Sequence, residues 1–152
     1  ARLAGVYDVG LNDRARAARA WEQAAWSNPT DDEAGRWLLD AGRAYASEGD
    51  TEAAGRALGL ATEHPERATA AWLALARLHL ATEPAAAYEA YDMALRSSDG
   101  GPAANLARLG LVTALERLEG GDAALASLDE ALPDDIEDAA LVRRRQRLRA
   151  NR

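Results

Sequence analysis

The chain has 152 residues and a formal charge of −7, enough for one ordinary domain, and the acidic balance argues against a general nucleic-acid binder. Ala supplies about a quarter of it, Phe, Cys and Lys are absent, and Ile136 is the one isoleucine, so the β-branched and aromatic residues that sheets need are scarce and an all-α fold is expected. Without Cys there is no disulfide framework, thiolate nucleophile or Cys-ligated metal, and no apolar run reaches the roughly 20 residues of a membrane span. In chain order, the opening Ala1-Arg2-Leu3 already reads as helix, so the chain is expected to be a segment of something longer. Breaks then follow at Asn28-Pro29-Thr30-Asp31, Glu48-Gly49-Asp50, His64-Pro65, Thr82-Glu83-Pro84, Ser97 to Pro102, Glu119 to Asp122, and Pro133-Asp134. Each supplies turn residues and several supply the next N-cap. Between them lie segments of ordinary helix length, joined by turns short enough to make antiparallel neighbours.

The segments repeat. Ala-x3-bulky-x2-Ala occurs at Ala17/Trp21/Ala24, Ala54/Leu58/Ala61, Ala87/Tyr91/Ala94 and Ala124/Leu128/Ala131, offset by 37, 33 and 37 residues. In so Ala-rich a chain that element alone carries little weight; its register with a second one decides. Ahead of the last three copies stand Leu38-x2-Ala41-Gly42-x2-Tyr45, Trp72-x2-Leu75-Ala76-x2-His79 and Leu106-x2-Leu109-Gly110. A truncated relative, Ala4-Gly5, precedes the first. Pro29, Pro65 and Pro133 follow three of the copies.

This pattern resembles the tetratricopeptide repeat, a 34-residue helix–turn–helix unit with the order Trp-x2-Leu-Gly-x2-Tyr, Ala-x3-Phe, Pro. The stretch from Gly35 to Ala68 is the best match. The resemblance implies an all-α, right-handed superhelical solenoid of antiparallel helix pairs. Residues 1–133 would form four hairpins, the first truncated at its start, and residues 134–152 a C-terminal capping helix. Gly42, Ala76 and Gly110 are small where paired helices must cross closely, with Ala54, Ala87 and Ala124 as the matching surface. Trp21, Leu58, Tyr91 and Leu128 are the bulky residues that fill between units. One pair cannot bury its apolar face alone, so the units must stack. His79 stands where a repeat Tyr is usual, and His64 is placed at a helix C-terminus beside Pro65.

No constellation for catalysis stands out. The two histidines lack metal-ligand spacing, and Asp99-Gly100-Gly101-Pro102 lacks the Lys of a phosphate loop. Asp31-Asp32-Glu33 and Asp134-Asp135 with Glu137-Asp138 precede helices, where carboxylates cap free N–H groups and meet the positive dipole end. Between 134 and 152, six Arg stand against four acids. The basic run Arg143 to Arg149 reads as a solvated cap helix whose arginines pair with the acidic body, in preference to a nucleic-acid or membrane-surface helix. No enzyme activity, cofactor or metal is expected.

In the family the first helix of each pair lines a concave groove that takes a partner peptide. By that register, Arg43 and Arg77 fall at equivalent groove-facing places 34 residues apart. Arg36, Leu39 and Ala46 join from the same unit, Leu73 and Leu80 from the next, and Asn105 and Arg108 from the third, with Arg2 extending the line. A row of Arg suits carboxylates by bidentate pairing. The expected function is a protein-interaction scaffold for an acidic or carboxylate-bearing peptide, with Leu39 and Leu73 as apolar contacts and no nucleic acid or membrane insertion. The alternative pairing of Arg43 and Arg77 is internal, with Asp40, Glu48 or Glu83. Trp26 and Trp37 flank the Asn28–Glu33 turn, either as interface anchors or packed on each other. Two other readings stay open. One is a spacer or self-association segment of a longer solenoid in a bacterial secretion, transport or polysaccharide-export assembly; the other is a regulatory domain attached to an enzyme. Arg-only, Lys-free usage is that of a GC-rich bacterial gene, and the lack of Cys suits cytoplasm and periplasm alike.

Overall fold

The computed structural model of the chain describes residues 13–29, 33–131 and 138–151. All regular structure among these residues is α-helical: α1 (Arg14–Ser27), α2 (Ala34–Ser47), α3 (Thr51–Ala61), α4 (Pro65–His79), α5 (Pro84–Arg96), α6 (Gly101–Glu119), α7 (Gly121–Ala131) and α8 (Ala139–Ala150). The helices begin where the sequence offers caps. The Asp13 carboxylate accepts from the Arg16 N–H at 3.0 Å and Asp50 from the Ala53 N–H at 3.0 Å, satisfying N–H groups that the helix leaves unpaired. Pro65, Pro84 and Pro102 occupy first-turn positions, where a missing N–H costs nothing. Helix α2 ends at Gly49 with φ of 82°, a left-handed stop that a side chain would strain.

One expectation about a helix terminus is corrected. His64 sits at the N-cap of α4 in extended backbone, φ −97°, not at a helix C-terminus: α3 has already ended at Ala61, and Pro65 opens the next helix. Within the expected capping segment 134–152, α8 runs Ala139–Ala150 with Asp138 as its cap; Leu132, Pro133, Asp134, Asp135, Ile136 and Glu137 lie outside the described residues, as do Arg2, Ala4, Gly5, Thr30, Asp31 and Asp32. Glu33 precedes α2 but its side chain makes no cap bond; its carboxylate instead accepts from Arg36 Nη1 at 2.6 Å.

Each helix packs on the next, and α2, α4, α6 and α8 also touch in succession. The even-numbered helices thus form one line, with α3, α5 and α7 each bridging two of its members. Small residues make the approaches possible. Ala41, Ala54, Ala57, Ala71, Ala76, Ala87, Ala94 and Ala124 are wholly inaccessible. A Cβ at Gly42 would lie 2.5 Å from Leu58 Cγ, and one at Gly110 would collide with the Tyr91 ring. Gly35 is similarly roofed by His64. Leu58, Leu125, Leu128 and Leu141 are the largest fully buried side chains, each contributing about 1.5–3 kcal/mol of transfer free energy. The main cluster runs through Leu38, Leu58, Leu73, Leu75 and Tyr91. A second lies around Ala18, Tyr45 and Ala57 with Trp21 against it, and a third joins Val112, Leu125, Leu128, Leu141 and Leu148.

Gly59 behaves differently. It lies inside α3 with open space where its Cβ would be, so it weakens the helix without permitting a close approach. Gly59→Ala is expected to raise stability by about 0.5–1 kcal/mol, read as a higher urea midpoint at unchanged slope. A loss on this substitution would contradict the packing described around α3.

Candidate functional site

The line of even-numbered helices carries an open cleft of about 660 Å³. From α2 it takes Arg43 and Ala46, and from α4 it takes Leu73, Ala74 and Arg77; Leu106 of α6 stands at its far side. Leu58 and Leu78 contribute to the floor. Helical spacing explains the arrangement: residues three and four apart share a face, which puts Arg43 and Ala46 together, and likewise Leu73 and Arg77. Both arginines are exposed. Among the described residues neither forms an ion pair with a carboxylate. The internal pairing with Asp40, Glu48 or Glu83 is therefore absent there; Asp40 lies 3.8 Å from Arg36 Nε, and Glu83 lies 3.5 Å from His79 Nδ1. Beneath Arg77, burial pushes the Tyr91 phenol up from its ordinary pKa, while the charges of Arg77 and Arg117 pull it back.

The other residues expected in the groove have separate fates. Arg36 is held by Glu33, just ahead of its helix, and by Asp40 on it. Leu39 is 5% exposed, belongs to the core and is not among the residues lining the cleft. Leu80 is half-buried, and its carbonyl accepts from Arg117 Nη1. On α6, Asn105 Nδ2 donates to Asp138 Oδ2 at 3.0 Å, and Arg108 Nη1 donates to Asn105 Oδ1 at 3.0 Å. These two are engaged with each other and with the residue that caps α8. Leu106, 46% exposed, is the most open of the cleft residues that sequence register missed, Ala74 and Leu78 being others. Register aligns it with Leu38 and Trp72, the first of which is buried and the second half-buried in the core.

The far end of the line is closed by α8. Asp138 accepts from the backbone N–H groups of Ala140 and Leu141 at 2.9 and 3.1 Å. Its carboxyl is held below the usual range, first by the Leu141 N–H, then by Ala140, the Asn105 amide and the Arg143 charge, against an opposing desolvation. The arginine run pairs with the acidic body as expected. Arg144 and Arg147 meet Glu116 of α6, and Arg145 and Arg149 meet Asp129 of α7. Leu141 and Leu148 supply the apolar side.

A second cavity, about 310 Å³, lies beside Trp26, Pro29, Leu38, Leu60 and His64. Trp26 is 65% exposed at its edge, whereas Trp37 is half-buried against the main core. Among the described residues no group of three His, Asp or Glu is gathered as a metal site, and no helix is long and apolar enough to cross a membrane. No family model matches this chain, and no curated protein or solved structure matches it significantly.

Proposed function

We propose that this chain is a tetratricopeptide-like, right-handed superhelical solenoid that acts as a protein-interaction scaffold, capturing an acidic segment of a partner without itself performing a reaction. The observation that carries the reading is the cleft: two arginines from successive even-numbered helices face one apolar-floored channel, and neither is paired with a carboxylate among the described residues. An unpaired guanidinium offers five donors in a planar fork that matches a carboxylate. Leu73, Leu78 and Leu106 supply apolar surface beside the charges. The line of α2, α4 and α6 supports the solenoid reading, because a repeat stack buries each pair against the next and leaves one face of the first helices open. The tail arginines are engaged with Glu116 and Asp129, which favours the cleft over the tail as the place for an acidic partner.

The test is charge reversal. Arg43→Glu combined with Arg77→Glu is expected to abolish capture of acidic peptides while leaving the circular dichroism spectrum unchanged, since both side chains are exposed. Each charge-assisted hydrogen bond removed is worth about 1.5–3 kcal/mol when well formed. Undiminished binding by the folded double variant would sink the assignment.

A further inference from the structure

The second cavity differs from the cleft in both shape and charge. Its floor is apolar: Ala34 and Leu38 of α2 are buried and Leu60 of α3 is half-buried. Its walls are set by the fold. Trp26 stands one residue before the end of α1, which Asn28 closes by donating from its backbone N–H to the Ala25 carbonyl and from Nδ2 to the Ala24 carbonyl, both at 3.2 Å. His64, the N-cap of α4, packs so closely over Gly35 that a Cβ there would lie 2.5 Å from its own. Glycine at 35 thus lets His64 settle against α2 and wall the cavity. Among the described residues Trp26 is the most open large apolar side chain, at 65%, and an open indole beside a cavity suits an interface anchor.

The charge on this lining is acidic. Glu63 is exposed, no arginine shares the lining, and among the described residues Glu63 forms no ion pair. A volume of about 310 Å³ lies at the small end for ligand sites, so the cavity admits a side chain and not a helix. An acidic side chain would meet Glu63 as a like charge. A purely apolar one would fill the floor but strip water from the carboxylate without replacing its hydrogen bonds. A basic side chain satisfies both parts, its aliphatic stem on the apolar floor and its charged head at the rim. There the indole offers a cation–π contact and Glu63 a charge-assisted hydrogen bond. Arginine suits this better than lysine, because a planar guanidinium stacks on an indole while its fork still pairs with a carboxylate.

We propose that this cavity is a second docking site, taking an arginine side chain from a basic segment of a partner protein. The arginine arrives on a larger body, because a lone side chain would leave the open indole largely uncovered. Binding here does not depend on the cleft, with which the cavity shares no lining residue.

The experiment follows the indole N–H signals of the isotope-labelled whole chain by NMR, with Trp26→Phe identifying the signal of Trp26 among the four tryptophans. The probe is the capped peptide acetyl-Gly-Arg-Gly-amide, and its control carries citrulline, which keeps the shape of arginine and loses the charge. The Trp26 signal is expected to shift saturably, with an affinity for the arginine peptide about tenfold above that for the citrulline peptide. Glu63→Gln should bring the two peptides to within about twofold of each other. Glu89→Gln, an exposed acid of α5 away from the cavity, should leave the preference intact, which separates the site from the general attraction of a chain of charge −7. Equal affinity for arginine and citrulline would overturn the choice of a cation. No shift at Trp26, or an arginine preference that survives Glu63→Gln, would overturn the site itself.

Discussion

Leu58→Ala is expected to destabilise the chain by about 2–5 kcal/mol, and Gly42→Ala by about 1–3 kcal/mol, yet the double variant should be more stable than Leu58→Ala alone. Leu58 is 1% exposed and belongs to the main core. Truncating it removes the transfer free energy of three carbons and leaves a cavity, because α2 and α4 hold the surrounding structure in place. Gly42→Ala fails for the opposite reason. Its Cβ would lie 2.5 Å from Leu58 Cγ and 2.6 Å from Cδ2, closer than carbon atoms tolerate, so the leucine must leave its rotamer. The Leu58 backbone nitrogen stands only 3.2 Å from the same point, which bars an escape by sliding α3 inward. Truncating the leucine removes the two side-chain clashes and leaves the 3.2 Å approach to the backbone nitrogen, which a shift of a few tenths of an ångström relieves. The alanine methyl at 42 then occupies part of the vacated space, and the helix interior regains up to about 1 kcal/mol for replacing glycine. A double-mutant cycle by urea denaturation should therefore show favourable coupling of about 0.5–3 kcal/mol. Additive effects would mean that Gly42 and Leu58 do not meet.

That pair also shows what was legible in the sequence. Composition alone pointed to helices, and the caps and prolines located most of their ends because capping chemistry is local: Asp50, Pro65 and Pro84 act within one turn of themselves, whereas the cap at Asp13 went unread. The repeat register located the close approaches, since Gly42 and Gly110 are small for steric reasons that recur every 34 residues. Register failed where equivalent places differ in surroundings. Leu39 and Leu73 are equivalent by spacing, but Leu39 is wholly a core residue while Leu73 also lines the cleft. Leu106 aligns with Leu38 and Trp72 and yet lies open, 46% exposed, where Leu38 is buried. Asn105 and Arg108 could not be separated from Arg43 and Arg77 by spacing. What removes them from the cleft is Asp138, brought in across 33 residues by the return of α8. A carboxylate arriving from that distance leaves no periodic signal.

Stability is expected to fall on the alkaline side, and the buried Tyr45 phenol carries a separable share of the loss. The Tyr45 hydroxyl, on a residue 7% exposed, donates to Glu22 Oε2 at 2.8 Å and so ties α2 to α1. Its pKa is pushed from 10.0 up to about 12, by burial first and then by the hydrogen bond to Glu22 and that residue's negative charge, with Asp50 adding and Arg19 opposing. The folded chain therefore holds this proton more tightly than the unfolded one. Stability from it is complete below the unfolded pKa near 10, declines as pH climbs between the two values, and is gone above about 12. The full difference corresponds to roughly 2–3 kcal/mol, of which about half is lost by pH 11. Tyr91 shifts in the same direction, so a decline in the parent alone would not identify its source. Tyr45→Phe does. It removes the donor and leaves the half-buried Glu22 carboxylate to water, costing about 1.5–3 kcal/mol at neutral pH. Because the variant has no proton to lose at this place, its deficit relative to the parent should shrink as pH rises from 8 to 11. Urea denaturation of both proteins across that range reads the difference directly. A constant deficit would show that the Tyr45 proton is no more tightly held in the fold than in the open chain.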